Sequence, residues 1–98
     1  MKKQIDLNPI DVHVGQKLSY LRAVTKTSRK TLSEPLGISG QQIQKYELGE
    51  NRISASTLYK IAQFFDKPIA YFFEGYNPNP VVPEIKYKLC YNFNTISV

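Results

Sequence analysis

Residues 37–50, GISGQQIQKYELGE, constrain this chain more than any other stretch. One glycine opens the stretch and Gly49 stands next to its end, which leaves room for one short helix between two chain reversals. Ser39 can cap that helix. Gln42, three residues later, completes a Ser-x-x-Gln capping box that satisfies backbone donors at the helix start. Ile43 and Tyr46 supply one narrow inward-facing apolar stripe. Gln41, Gln42, Gln44 and Lys45 are left on the other sides.

Glutamine is an odd filler for a merely solvated helix face, where Glu and Lys are usual. Its amide offers a donor and an acceptor together, which is what bidentate reading of adenine in the DNA major groove needs. The stretch is therefore read as a DNA recognition helix. Thirteen Lys and Arg against eight Asp and Glu give a net charge of +5, which favours polyanionic partners without naming one. The opening segment MKKQIDLNPI holds no apolar run long enough for a signal peptide. The longest apolar run, residues 69–73, is far too short to span a bilayer. Cys90 is the sole cysteine, so neither an internal disulfide nor a Cys-based metal site is expected, and a reducing cytoplasmic setting fits.

Residues 1–10 show no periodicity and contain Pro9, so they read as a loose arm. Asp11 is a candidate N-cap, after which Val14, Leu18, Leu21 and Thr25 recur at helical spacing. Gly15 costs this first helix roughly 1 kcal/mol relative to alanine. Thr25 to Ser28 form a turn, and Ser28 caps a second helix carrying Leu32 and Leu36. Pro35 removes a hydrogen bond to the Thr31 carbonyl, so the second helix should end early, with Gly37 at its C-terminus and Ile38 turned back into the core. After Gly49 and the loop Glu50-Asn51-Arg52, Ser54 or Ser56 caps a fourth helix bearing Leu58, Ile61, Ala62 and Phe65. Asp66-Lys67-Pro68 breaks it, and Pro68 suits the first turn of a fifth helix whose Ile69, Phe72 and Phe73 are read as core. Gly75 ends it. Residues 76–98 open on a Pro/Asn linker. There Ile85, Tyr87, Leu89, Tyr91 and Phe93 alternate with mostly polar residues, a strand signal. A lone strand has open edges, so it must dock or remain without structure.

Taken together, Arg22, Leu32-Ser33-x-x-Leu36-Gly37-Ile38-Ser39, Ile43-x-x-Tyr46-Glu47-x-Gly49 and the apolar helix from Leu58 resemble the Cro- and Xre-type helix-turn-helix repressors. The likeness runs roughly from Val12 to Gly75. It implies an all-α, compact five-helix lambda-repressor-like domain over residues 11–75, whose third helix, residues 40–47, enters the major groove. By position, the resemblance assigns Gly40, Gln41, Gln42 and Lys45 to bases and nearby phosphates. Gln44 and Ser39 fall on the flank. Arg29 stands where the family usually has a phosphate-binding glutamine, and Asn51 with Arg52 match a backbone-touching loop. Arg22 and Glu47 match a partly buried ion pair between the first and third helices. The chain departs from the pattern at Lys26 and Thr27, where glycine and an apolar residue are usual, and at Arg29 and Pro35.

These readings point to sequence-specific binding of double-stranded DNA by a transcriptional regulator, in the repressor role. The same fold serves antitoxins, and a pure protein-interaction module would instead use Tyr59, Phe64 and the tail. Operator competition against random duplex separates these classes. No enzyme is expected: His13, the sole histidine, reads as solvated, and no phosphate loop, paired carboxylates or Cys/His cluster is present. No cofactor or metal is called for, and no membrane partner. A homodimer is expected, with the alternating tail as a possible dimerisation element. The alternative is that the tail packs on its own domain or is disordered. The protein is expected in the cytoplasm, at the nucleoid when bound to DNA.

Overall fold

The computed structural model describes residues 7–77. Residues 78–98 of the expected linker and strand-like tail, with 85–93 and Cys90, and the first six residues of the expected arm lie outside them. Among the described residues are four α-helices, α1 (Pro9–Thr25), α2 (Arg29–Leu36), α3 (Gly40–Leu48) and α4 (Ala55–Phe65), closed by a 3-10 helix (Ile69–Phe73). None of these is long and apolar enough to cross a membrane, and among the described residues no His, Cys, Asp or Glu cluster could hold a metal ion.

The first helix begins earlier than Asp11. Asn8 is its cap, its Oδ1 accepting from the amides of Ile10 at 2.8 Å and Asp11 at 3.4 Å. Pro9 occupies the first helical position, where a missing N–H costs nothing and the fixed φ is already helical. A residue read as an interruption is the start signal. Asp11, freed from capping, sits in the first turn beside the positive end of the helix dipole.

Lys26 ends α1 in the left-handed region, at φ 56°, with its amide on the Ala23 carbonyl at 3.2 Å. Glycine is usual at this position, and the side chain of Lys26 is exposed. Lys26→Gly should therefore raise stability by about 1 kcal/mol, read as a shift in urea midpoint. An unchanged or lowered midpoint would mean that the lysine is holding the turn in some other way.

Ser28, Ser39 and Ser54 cap the next three helices, accepting from the amides of Thr31 (3.0 Å), Gln42 (3.0 Å) and Thr57 (3.2 Å). The choice between Ser54 and Ser56 thus falls to Ser54. Pro35 is tolerated inside α2 because only Leu36 follows it before Gly37 turns the chain at φ 71°. Ile38 then bonds back to the Ser33 carbonyl at 3.2 Å and packs on the core.

The fifth element is a 3-10 turn of five residues rather than an α-helix, and Pro68 precedes it in extended conformation instead of entering its first turn. A 3-10 helix repeats every three residues, which turns Phe73 away from the side of Phe72; Ile69, on the same side as Phe72, is the first residue of the turn and lies at its edge. Phe72 is fully buried, whereas Ile69 and Phe73 stay exposed. Tyr71 packs beside the core with the Lys17 and Lys67 ammoniums 4.5 Å and 5.3 Å from its ring centre. The core joins Val14, Leu18 and Leu21 of α1 to Leu32, Ile43, Tyr46, Leu58, Ile61, Ala62 and Phe72. Thr25, grouped with that stripe by spacing, is exposed and returns its hydroxyl to the Leu21 carbonyl at 2.6 Å.

Gly15 is where α1 lies on α3. A Cβ there would come within 2.2 Å of the Tyr46 carbonyl oxygen and 2.7 Å of that of Glu47. The helices approach backbone to backbone, which fixes the depth at which α3 sits.

Candidate nucleic-acid interface

Ile43, Tyr46 and Glu47 are the buried residues of α3, and they leave a polar outer face. On that face Gln41, Gln44 and Lys45 are exposed and Gln42 is half-buried. None of these four side chains makes a hydrogen bond or ion pair among the described residues. The expected capping box is therefore only half formed: Ser39 accepts from the Gln42 amide N–H, but the Gln42 side chain does not reach back. Its donor and acceptor stay available. Gln42 instead lines a shallow groove of about 440 Å³ with Asp11, Gly49, Asn51 and Arg52.

The beginnings of α2 and α3 meet. A Cβ on Gly40 would lie 3.7 Å from the Cβ of Arg29, an ordinary contact, so the free protein has room for a methyl group there. Gly49 is different, with φ 79° and a Cβ position 2.7 Å from Val12. It turns the chain out of α3 while α1 presses on it. The Asn51 amide closes that turn on the Lys45 carbonyl at 3.4 Å.

Both arginines assigned to DNA phosphates carry carboxylate partners within the chain. Arg52 Nε reaches both oxygens of Asp11, at 3.0 Å and 3.3 Å, from a largely exposed side chain. Arg29 meets Glu47 through Nε at 3.2 Å and Nη2 at 3.0 Å. Arg22 holds the same carboxylate through Nε and, at 3.1 Å, through Nη2, while its Nη1 donates to the Thr27 carbonyl at 3.0 Å. Glu47 therefore ties α1, α2 and α3 together at one point, with only 4% of its side chain exposed.

Besides the hold of Glu47 on Arg29, three partners are not visible in the sequence. Asp11 pairs with Arg52 across 41 positions of chain, a distance no local pattern reveals. The Thr27 carbonyl takes the third arm of Arg22. His13 is not solvated: it is half-buried, and its Nε2 donates to the Glu74 carbonyl at 2.7 Å while its ring meets Tyr76 edge-on. It fastens the segment after the 3-10 helix to α1.

A helix-turn-helix family model matches residues 21–72. The chain is 49% identical over 67 residues to an uncharacterised HTH-type transcriptional regulator of Sinorhizobium medicae, covering 68% of this chain and 48% of that protein. It is 42% identical over 84 residues to another of Rickettsia prowazekii, covering 82% of this chain and 65% of that one. It thus spans about half to two-thirds of the length of these curated relatives. Among solved structures it resembles the restriction-modification controller protein C.AhdI from Aeromonas hydrophila, with a TM-score of 0.60 and 27% identity, over 64% of this chain and 96% of that one.

Proposed function

The chain belongs to the helix-turn-helix family, and from that premise we propose that it regulates transcription by binding a specific double-stranded DNA sequence with α3 in the major groove. The observation that carries this reading is the unengaged glutamine face of a helix whose other side is locked into the core. Side chains with rigid backing and free amides suit base-edge readout. Gln41 and Gln42 read bases, Gly40 allows close approach of the backbone, and Lys45 reaches bases or neighbouring phosphates. Gln44 and Ser39 lie at the flank, although the Ser39 hydroxyl is already engaged as a cap. Arg29, Asn51 and Arg52 orient the domain on phosphates, which position without specifying sequence.

In this reading the protein acts as a repressor, works as a two-fold homodimer, performs no catalysis and resides in the cytoplasm, at the nucleoid when bound. The exposed Tyr59 and Ile69, which line one groove with Ala62 and Gln63, favour a further protein contact where α4 meets the 3-10 helix, either a second copy or a toxin-like partner. Competition tests the leading reading. A labelled duplex selected by the protein should resist random duplex at moderate salt, with a preference of about a thousandfold or more. Equal displacement by both would leave only the protein-interaction reading.

A further inference from the structure

The Glu47 carboxylate is shared unequally. Its Oε2 accepts from Arg22 Nε, but its Oε1 faces three donors: Arg22 Nη2 at 3.1 Å, Arg29 Nε at 3.2 Å and Arg29 Nη2 at 3.0 Å. A carboxylate oxygen offers about two lone-pair sites, so Oε1 has one donor too many. Two guanidinium cations on one anion also leave a positive charge unneutralised. The two arginines are not equivalent. Arg22 is 17% exposed and has a second anchor on the Thr27 carbonyl; Arg29 is 42% exposed and bonds to Glu47 alone. Arg29 also opens α2, against the start of α3.

We propose that Arg29 is an exchangeable phosphate clamp, which releases Glu47 for a DNA backbone phosphate while Arg22 keeps the carboxylate. Glu47 is then a positioning residue. It holds the Arg29 fork aligned in the free protein and gives it up without being left as an unpaired buried charge, because Arg22 remains. A phosphate presents two oxygens to the same planar fork and neutralises the surplus cation. The exchange removes the crowding at Oε1. It also couples the phosphate contact at α2 to α3, since the residue that released Arg29 belongs to the recognition helix. This inference rests on the DNA-binding reading above.

Arginine Nε–H resonances of the full chain, followed as a selected duplex is added, test it. The Arg29 signal should move and the Arg22 signal should stay. Arg29→Gln should unfold at nearly the same urea concentration as the parent, yet its affinity should fall less steeply with salt, by about 0.9 in log–log slope. Arg29→Lys should restore that slope, because it returns the cation. An unmoved Arg29 with duplex bound, an Arg22 signal that moves with it, or an unchanged slope in Arg29→Gln would overturn the exchange. Failure of the parent chain to bind any duplex would instead remove the DNA reading, and this inference with it.

Discussion

Glu47→Gln is expected to lower stability by about 3 kcal/mol, measured as a shift in urea midpoint, with loss of most DNA binding. The substitution keeps shape and removes charge, so it isolates the electrostatic part of the three-helix junction. Breaking a buried pair from one side typically costs 3–5 kcal/mol, because the remaining charge has lost both water and partner. Here the lower end applies, since Arg29 retains water and Arg22 still has the Thr27 carbonyl. The contrast with Arg29→Gln is the informative part. Arg29 is 42% exposed and its loss leaves Glu47 still paired with Arg22, so removing it should cost only about 1 kcal/mol, and the two variants should differ severalfold in stability although they alter the same contact. A Glu47→Gln midpoint equal to the parent's would show that apolar packing alone sets the junction.

Gly15→Ala should cost about 2 kcal/mol net, against the sign that helix propensity gives. Propensity alone predicts a gain of roughly 1 kcal/mol in the middle of α1. Packing wins because a methyl group 2.2 Å from the Tyr46 carbonyl oxygen meets backbone, which has no rotamer to escape into. Either α1 lifts off α3 or the last turn of α3 shifts, and overpacking of this kind costs about 1–3 kcal/mol or more. DNA affinity should fall as well, since Gly15 sets how far α3 stands out from the domain. A more stable Gly15→Ala protein would mean that the helices can separate freely.

The contrast between these two positions shows what could be read in advance. The serine caps, Gly37, Gly49 and the apolar stripes of α1 and α4 were legible because each depends on neighbours within one helical turn. The Arg22–Glu47 pairing came from resemblance, not from spacing. Gly15 was visible only as a local cost, because the atoms that require it belong to Tyr46 and Glu47. The same holds for Asp11 with Arg52 and for His13 with Glu74. Arg29 was placed correctly at the start of α2, but nothing in one helix's pattern reveals that a carboxylate on another will hold it. Two local rules misled. Pro9 looks like a breaker by local pattern but begins a helix, and the Ser-x-x-Gln spacing implies a Gln42 side-chain cap that the backbone amide completes without it.

The central claim, that α3 reads DNA through its glutamine face, is tested most directly by selecting bound duplexes from a random pool with the parent chain and with Gln41→Ala. The parent should enrich one defined motif, two-fold symmetric if the protein works as a dimer. The variant should lose information at one base pair of each half-site, the one the Gln41 amide contacts, at a cost of about 1–3 kcal/mol on the best site and far less on random duplex. An identical motif from both proteins, or no motif from the parent, would contradict the assignment of α3 as the reader.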